Sequence, residues 1–321
     1  MVKRIAVLTS GGDAPGMNAA IRAVVRTAIN KGFEVFGVER GYEGVVNGQF
    51  ILMNSHSVGG TIQHGGTFLR TARSEAFMTE EGFKTAVKQL RDKCIDYLVV
   101  VGGDGSMAGA MNLAQAGIQT VTIPATIDND MSGTDYTIGF DTALNTVLDA
   151  TNKIRDTAAS HERVAIIEVM GRSAGHIALM AGLACGAEVI LLPEQPVDID
   201  NVCHGLLRSY KRGKLYSIVL VAEGAGKGYD IAKQIAERTS FNPHVTVLGY
   251  IQRGGSPTAM DNIIGSRMGA TAVETIIKDE ANCLIAYQQG QIITIPYEEV
   301  NNYKHGIDPD VYQLAKILSS T

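Results

Sequence analysis

Residues 5–18 read Ile-Ala-Val-Leu-Thr-Ser-Gly-Gly-Asp-Ala-Pro-Gly-Met-Asn, an apolar run followed by a glycine-rich turn and the start of a long helical pattern. Consecutive apolar residues that end in a turn are typical of a strand buried on both faces. The glycines let backbone approach a ligand and offer free N–H groups to an anion. The stretch therefore predicts a strand, a loop and a helix with an anion site at the turn, although a tight turn capped by Asp13 or Asn18 would read the same way.

The same alternation of strand and helix continues along the chain. Further buried strands are predicted at 97–101, 121–123, 164–169, 189–192 and 218–221, and helices at 17–30, 80–90, 143–154 and 174–184. Alternating short apolar runs and helical segments are the pattern of an α/β fold with a doubly wound, mostly parallel sheet flanked by helices. In such sheets ligands lie beyond the carboxyl ends of the strands, which is where the motifs described next fall.

Composition and charge exclude several classes of function. The 321 residues are 45% hydrophobic and 19% charged, enough to bury a sizeable core. A formal charge of −5 without a long basic run argues against nucleic-acid binding. No apolar run approaches the roughly 18 residues of a membrane span, and no secretory leader is recognisable. We expect a soluble, cytoplasmic protein that binds neither nucleic acid nor membrane.

A second glycine turn, at residues 102–106, places a carboxylate among small residues. It reads Gly-Gly-Asp-Gly-Ser, follows a predicted strand and opens a helix. A carboxylate beside bound phosphate is reasonable when Mg²⁺ bridges the two anions. An ordinary helix cap would explain Asp104 but not the small residues on both sides of it. The turn favours a nucleotide phosphate site in which Gly105 leaves room for the ligand.

The third motif, Thr126-Ile127-Asp128-Asn129-Asp130, carries two carboxylates two residues apart after another strand. One can accept a hydroxyl proton while the other orients the site or a metal, which suits phosphoryl transfer to an alcohol. A surface Asx turn would account for either aspartate singly, but less readily for the pair. The motif indicates the catalytic part of the site.

Arginines that could balance the charge of a transferring phosphate stand at positions 73, 163, 172 and 253. Arginine suits this task because its guanidinium donates two parallel hydrogen bonds, although a lone arginine is more often a solvated surface residue. The chain lacks the G-x-x-x-x-G-K-[ST] loop, a G-x-G-x-x-G after the first strand and a His-Arg-Asp loop. Nucleotide binding would therefore need a different cradle.

Taken together, these motifs, with Met170-Gly171-Arg172 and Gln252-Arg253-Gly254-Gly255, closely resemble the phosphofructokinase family, in order and over nearly the whole chain. The resemblance implies two doubly wound domains of mostly parallel sheet. It places the nucleotide on residues 1–138 plus 256–305, and the sugar phosphate on residues 139–255 plus 306–321. It also implies transfer of the γ-phosphoryl group of ATP to the 1-hydroxyl of fructose 6-phosphate, in a homotetramer.

The resemblance also implies individual residue roles. Nucleotide contacts would come from Gly12, Arg73, Ser74, Gly103, Asp104, Gly105 and Ser106, with Asp104 holding Mg²⁺. Asp128 would be the general base, and Arg73, Thr126, Asp130 and Arg172 would support the chemistry. The sugar phosphate would meet Thr126, Ile127, Asp128, Met170, Gly171, Arg172, Glu223, His244, Tyr250 and Arg253, and Arg163 of a neighbouring subunit. An ADP or phosphoenolpyruvate effector would contact Arg22, Arg26, Arg155, Glu188, Arg212 and Lys214.

Six positions depart from the family pattern, among them Ala125 in place of a usual glycine and Asn262 in place of a common arginine. Ser55 and Gly60 replace a usual arginine and aspartate, from which we expect weak or altered effector control. His244 stands where the family usually has a second phosphate-binding arginine, and Tyr250 where it usually has histidine. Because histidine, with a reference pKa of about 6.5, is largely neutral at cytosolic pH, we expect weaker sugar-phosphate binding that improves as the solution is acidified.

Three alternative interpretations stay open. Pyrophosphate-using relatives typically carry aspartate in place of Gly105 and lysine in place of Ala125, and this chain has neither. NAD and lipid kinases share the Gly-Gly-Asp-Gly turn but not the segments at 126–130 and 170–172. A low-activity regulatory paralogue that binds sugar phosphate would fit the departures above, but not the retained acidic and basic side chains.

Overall fold

The structure, a computed structural model, describes residues 2–303 and 306–319. By Cα proximity the chain forms two compact units. The first unit comprises Met1–Thr126, Met131–Thr142 and Arg253–His305, and the second comprises Ile127–Asp130, Ala143–Gln252 and Gly306–Thr321. The bounds differ from the sequence-based division at three short segments. Residues 139–142 and 253–255 lie in the first unit, and residues 127–130 in the second.

The strands, in chain order, are β1 Arg4–Ser10, β2 Glu34–Val38, β3 Phe50–Met53, β4 Tyr97–Gly102, β5 Gln119–Pro124, β6 Val164–Val169, β7 Val189–Leu191, β8 Ser217–Ala222, β9 His244–Val247, β10 Cys283–Gln288 and β11 Gln291–Pro296. The α-helices are α1 Met17–Asn30, α2 Gly41–Val46, α3 Glu80–Asp92, α4 Asp104–Gln115, α5 Phe140–Ser160, α6 His176–Cys185, α7 Ile199–Lys211, α8 Gly228–Arg238, α9 Ala259–Ile277, α10 Tyr297–Val300 and α11 Pro309–Ser319. No helix in the described parts of the chain has the length and apolar character needed to cross a membrane.

The sheet of the first unit has seven strands in the order β11-β10-β5-β4-β1-β2-β3. Its inner pairs are parallel, while the edge strands β11 and β3 pair antiparallel. The register aligns Ser10 with Gly102 and Gly102 with Pro124. Because β1, β4 and β5 are neighbours and end in the same row, the three motifs that follow them begin at one edge of the sheet.

The sheet of the second unit has four parallel strands in the order β7-β8-β6-β9. Its central strands, β6 and β8, are buried almost throughout, as expected for strands covered by helices on both faces. Both sheets therefore confirm the predicted α/β class, with mostly parallel strands flanked by helices. The predicted bounds of β6 and α1 match the structure, and the predicted helix at 143–154 begins earlier and ends later, as α5.

Helices α1 and α9 of the first unit pack closely because glycines face the contact. A methyl group added at Gly269 would lie 2.5 Å from the carbonyl oxygen of Ala20 and 2.8 Å from the Cβ atom of Ala23. Such distances are shorter than van der Waals contact, so only glycine lets these two helices approach this far. The contact places α9 against the helix that follows the first glycine loop.

We expect Gly269→Ala to lower the free energy of unfolding by about 1–3 kcal/mol through overpacking of α1 against α9. The matched control is Gly205→Ala on α7, where an added methyl meets no atom within 4 Å. There alanine should raise helix stability by about 0.5–1 kcal/mol. Thermal unfolding of both variants measures the difference, and a Gly269→Ala protein as stable as wild type would contradict the close packing.

Candidate active site

The glycine loops that follow β1 and β4 touch each other in the first unit. A methyl group at Gly102 would lie 2.4 Å from the carbonyl oxygen of Ser10, and one at Gly11 would lie 3.3 Å from Ser106 Oγ. The loop after β5 is also close, because a methyl at Gly103 would lie 3.7 Å from the Cβ atom of Thr126. The two glycine loops and Thr126, the first residue of the third motif, therefore lie side by side at the edge of the sheet.

Helix α4 begins at this edge of the sheet, and its first-turn N–H groups receive no side-chain cap. Its N-cap residue is Gly103, which has no side chain to cap them. Asp104 and Gly105 are exposed, and a methyl at Gly105 would meet no atom within 4 Å. A helix N-terminus with open space in front of it suits an anion such as phosphate.

The segment that carries Arg73 and Ser74 is tied to the first glycine loop. The Thr71 hydroxyl donates to the carbonyl oxygen of Gly11 over 2.8 Å. Ser74 Oγ donates to Glu43 Oε2 over 2.6 Å and accepts the N–H of Phe77 over 3.1 Å. The Ser74 hydrogen bond is the main cause of the lowered pKa of Glu43. Glu43 on α2 thus holds this segment, and its role had no signal in the sequence.

Asn18 at the start of α1 holds the long loop that precedes Arg73. Its side-chain amide donates to the carbonyl oxygen of His64 over 3.0 Å, and its side-chain oxygen accepts the N–H of Phe68 over 3.0 Å. Asn18 is 2% exposed, so both bonds are shielded from water. The sequence predicts Asn18 as a possible helix cap, whereas in the structure its side chain holds the loop at residues 64–68.

Arg253 lies against the first glycine loop. A methyl at Gly12 would be 3.3 Å from the Nη1 atom of Arg253, which brings a predicted sugar-phosphate residue onto a predicted nucleotide residue. Both belong to the first unit. The guanidinium therefore supplies positive charge beside the backbone N–H groups of that loop.

In the second unit, Asp128 and Arg172 form an ion pair. Arg172 Nε lies 3.3 Å from Asp128 Oδ2, and the two side chains are 59% and 3% exposed respectively. A buried carboxylate is costly unless a cation or hydrogen bonds compensate for lost hydration. The guanidinium offsets part of this cost and remains accessible to a ligand, so the pair can meet both a hydroxyl and an anionic group.

The loop that presents Arg172 is held in an unusual backbone conformation. Arg172 has a φ angle of 52°, in the left-handed region that costs non-glycine residues of the order of 1–3 kcal/mol. The N–H groups of Gly171 and Arg172 donate to Glu223 Oε1 over 3.2 and 2.8 Å. The N–H of Met170 donates to the fully buried Gln252 over 3.2 Å. Glu223 and Gln252 therefore hold the Met170–Arg172 loop by its backbone.

Two predicted sugar-phosphate residues lie at the other end of this sheet. Arg163 precedes β6 and His244 begins β9, paired with Ala165, so both stand at the amino ends of parallel strands. Arg172 and Glu223 follow the carboxyl ends of β6 and β8. At about 3.3 Å per strand residue, the two sets are separated by roughly 20 Å along the strands. One sugar phosphate cannot contact both sets in a single copy of the chain.

The remaining predicted residues divide between the units. The first unit contains Gly12, Arg22, Arg26, Arg73, Ser74, Gly103, Asp104, Gly105, Ser106, Thr126 and Arg253. The second contains Ile127, Asp128, Asp130, Arg155, Arg163, Met170, Gly171, Arg172, Glu188, Arg212, Lys214, Glu223, His244 and Tyr250.

Of the predicted effector residues in the second unit, Glu188 and Lys214 pair with each other. Glu188 also accepts the N–H of Ile218, and Arg155 donates to the carbonyl oxygen of Cys185. In the first unit, Arg26 donates to the carbonyl oxygen of Ser55 over 3.4 Å. Ser55 thus presents its backbone to this arginine.

The fold belongs to the α/β class that binds ligands beyond the carboxyl ends of parallel strands. Residues 4–276 match the family described as phosphofructokinase. A Clostridium tetani protein named ATP-dependent 6-phosphofructokinase is 54% identical over 318 residues, covering 99% of this chain and 100% of its own. A Halothermothrix orenii protein of the same name is 52% identical over 331 residues, with 99% and 100% coverage. The chain belongs to the phosphofructokinase family.

Solved structures agree on the fold. Phosphofructokinase from Saccharomyces cerevisiae superimposes with a TM-score of 0.88 at 36% identity, over 94% of this chain and 45% of that chain. Pyrophosphate-dependent phosphofructokinase from Marinobacter aquaeolei superimposes with a TM-score of 0.85 over 100% of this chain and 92% of its own. At 23% identity this second likeness concerns the fold alone.

The role of Glu223 gives a direct test of the loop geometry. We expect Glu223→Ala to release the Gly171 and Arg172 amides, so that their hydrogens exchange faster by about tenfold, the equivalent of losing roughly 1.4 kcal/mol of hydrogen bonding. Glu223→Gln keeps an acceptor oxygen and should retain most of the protection. Hydrogen exchange resolved to these residues makes the measurement, and equal protection in the alanine variant would show that Glu223 does not hold the loop.

Proposed function

We propose that this protein transfers the γ-phosphoryl group of ATP to the 1-hydroxyl of fructose 6-phosphate, a glycolytic kinase reaction that yields fructose 1,6-bisphosphate and ADP. The observation that carries the proposal is the buried Asp128 carboxylate paired with the exposed Arg172 guanidinium. It is joined by the open glycine surface of the first unit and by full-length relatives named for this activity.

Asp128 would act as the general base. Its carboxylate accepts the proton of the sugar's 1-hydroxyl as that oxygen forms a bond to the γ-phosphorus, while the bond from phosphorus to the bridging oxygen of ADP breaks. Arg172 would stabilise negative charge on the transferring group, because its guanidinium is already oriented by Asp128 and by the Glu223-held loop. Asp130 and Thr126 would support this arrangement from the same segment of chain.

The first unit would bind the nucleotide and the second the sugar phosphate. Uncapped N–H groups at the start of α4 and the glycines after β1 would receive the phosphates, with Arg73, Ser74, Ser106 and Arg253 beside them. Glu223 and Met170–Arg172 would position the sugar. Thr126 ends one segment of the first unit and Ile127 begins a segment of the second, so the motif at residues 126–130, here called the acceptor motif, contains residues of both units.

The Asp104 carboxylate, together with bound phosphates, fits the ligands that Mg²⁺ commonly takes. Among the described residues, no group of three or more His, Cys, Asp or Glu side chains is arranged to hold a metal ion. A site made of such side chains alone is therefore absent from this part of the chain. Mg²⁺ is commonly held by one or two carboxylates together with substrate phosphates, and the exposed Asp104 at the start of α4 would supply such a carboxylate. When bound, Mg²⁺ would neutralise charge on the β- and γ-phosphates.

The geometry around Gly105 favours ATP over pyrophosphate. Open space in front of Gly105 can receive a nucleotide, whereas an aspartate at this position would place a second carboxylate beside the phosphates. Ala125 is 1% exposed, so its methyl group is buried against neighbouring residues and does not narrow the open surface. Both observations favour ATP as the donor, and an activity assay can compare ATP directly with pyrophosphate.

We expect wild-type protein to form fructose 1,6-bisphosphate with ATP and Mg²⁺ in a coupled assay, and pyrophosphate to support little turnover. Asp128→Asn should lower kcat by about 10²–10⁴-fold with smaller changes in KM, because it removes the base but keeps the shape. The control is Asp149→Asn, an exposed carboxylate paired with Lys153 on α5, which should retain wild-type kcat. A wild-type protein that binds both substrates without turnover would favour the regulatory paralogue.

We further propose that the sugar-phosphate site is completed by a second copy of the chain in a cytoplasmic homotetramer. The separation of roughly 20 Å between the strand ends that carry Arg163 and Arg172 supports this assignment. Arg163 and His244 would contact the 6-phosphate bound to a neighbouring copy. With His244 in place of a second arginine, the site would offer the phosphate one guanidinium rather than two.

A mixing experiment tests the shared site. Asp128→Asn and Arg163→Ala, each of low activity alone, should regain activity when refolded together, because mixed oligomers contain sites with both native side chains. Asp128→Asn mixed with Arg172→Ala is the matched control and should not recover, since both residues would serve one site from the same copy. Activity equal to the sum of the separate variants would assign Arg163 to its own copy's site, or to none.

Effector control would be altered at the positions that depart from the family. Lys214 pairs with Glu188, and Arg26 donates to the Ser55 backbone. ADP or phosphoenolpyruvate would therefore meet different side chains from those of a site that has arginine at position 55. Gly60 adds no carboxylate. We propose that either effector acts weakly through Arg22, Arg26, Arg155, Glu188, Arg212 and Lys214.

A further inference from the structure

Asp261, the third residue of α9, is a buried carboxylate that has no role in the chemistry above. It is 0% exposed, and no cationic side chain in residues 2–303 or 306–319 forms an ion pair with it. Burial raises its pKa, and hydrogen bonds from Thr142, Gly139 and Tyr136 oppose that effect. A carboxylate is retained in such a place only when several donors compensate for lost hydration.

The donors come from one turn, at residues 136–142. Asp261 Oδ1 accepts the N–H of Gly139 over 2.8 Å and the hydroxyl of Tyr136 over 2.9 Å. Asp261 Oδ2 accepts the N–H and the hydroxyl of Thr142 over 2.8 and 2.5 Å. Both oxygens are therefore occupied, and the turn is held at its middle and at its end by a single side chain.

The same turn also holds Pro124 at the end of β5 and Thr126 at the start of the acceptor motif. The Thr137 hydroxyl donates to the carbonyl oxygen of Thr126 over 2.6 Å, and the N–H of Ile138 donates to that of Pro124 over 3.1 Å. Any shift of the turn moves the residues that lead directly into Asp128. Asp261 is thus connected to the acceptor motif through two successive hydrogen-bonded steps.

Two other candidate loops lie against Asp261 or against its hydrogen-bond donor Thr142. A methyl at Gly16, in the first glycine loop, would lie 3.1 Å from the Cβ atom of Asp261 and 2.7 Å from Ile138 Cγ2. The N–H of Thr258, five residues after Arg253, donates to the Thr142 hydroxyl over 3.0 Å. The first glycine loop, the acceptor motif and the Arg253 segment therefore converge on Asp261.

We propose that Asp261 is a positioning residue for phosphoryl transfer, which sets the first glycine loop, Thr126 after β5 and the Arg253 segment in register with one another. The proposal rests on the kinase function proposed above. Asparagine at this position keeps the shape but replaces one acceptor oxygen with an NH₂ donor. The new NH₂ group then faces the two hydrogen-bond donors that the replaced oxygen accepted. Because donors do not bind each other, the turn has to move. A displacement of about 1 Å in a reacting group can cost up to a hundredfold in rate.

The test compares Asp261→Asn with Leu90→Ala, which truncates a buried core side chain of α3. Turnover is measured well below both melting temperatures, and amide exchange is followed in residues 125–126 and 136–142. We expect kcat of Asp261→Asn to fall at least about tenfold, with faster exchange in both segments. Leu90→Ala should retain kcat per folded molecule. Wild-type kcat in Asp261→Asn, or an equal loss in Leu90→Ala, would overturn the proposal.

A second pair of variants keeps the test independent of folding defects in Asp261→Asn. Thr142→Val removes a hydroxyl that Asp261 accepts, while Thr142→Ser retains it. We expect kcat to fall in the valine variant and to be restored in the serine variant, and equal kcat in the two would count against the network. If wild-type protein shows no turnover, the kinase function fails, and amide exchange still decides whether Asp261 holds the loops.

Discussion

The parallel pairing of β5, β4 and β1 is the constraint on which the candidate site depends. Its register brings the ends of the three strands into one row, so that loops far apart in sequence begin side by side. Small residues then let these loops touch, as Gly102 does against the Ser10 carbonyl. The start of α4, which has no side-chain cap, consequently lies beside the first glycine loop. A change of one residue in register would separate them.

The second unit presents a buried carboxylate, Asp128, together with an accessible cation, Arg172. Arg172 reaches Asp128 from a backbone conformation that is unfavourable for arginine, and the Glu223 carboxylate stabilises it through two N–H donors. Such strain persists where the surrounding structure compensates for it, and such positions are common at functional sites. The cost of this conformation is local, and hydrogen-bond acceptors on the segments that follow β8 and β9, Glu223 and Gln252, offset it.

Asp261 illustrates how local pattern and tertiary contact diverge. Thr258-Ala-Met-Asp261 before an apolar helix has the spacing of a capping box, and the Thr258 hydroxyl does accept the N–H of Asp261. A capping box would turn the acidic side chain back to its own helix. Instead the carboxylate binds a turn more than a hundred residues away in sequence, at Gly139 and Thr142. The sequence therefore indicates the hydrogen bond between Thr258 and Asp261, but not the contacts of the Asp261 carboxylate with the distant turn.

The sequence by itself determined the α/β class, the strands such as β6, the helix α1 and the motif residues, because burial on both faces and helical spacing leave local signatures. The antiparallel edge strands had weaker local patterns, and β3 keeps exposed apolar residues such as Leu52. Only the tertiary structure decided that Glu43, Gln252 and Asp261 support the site, and that Arg163 and Arg172 occupy opposite ends of one sheet. Those relations depend on register and on long-range hydrogen bonds, which no short stretch of sequence encodes.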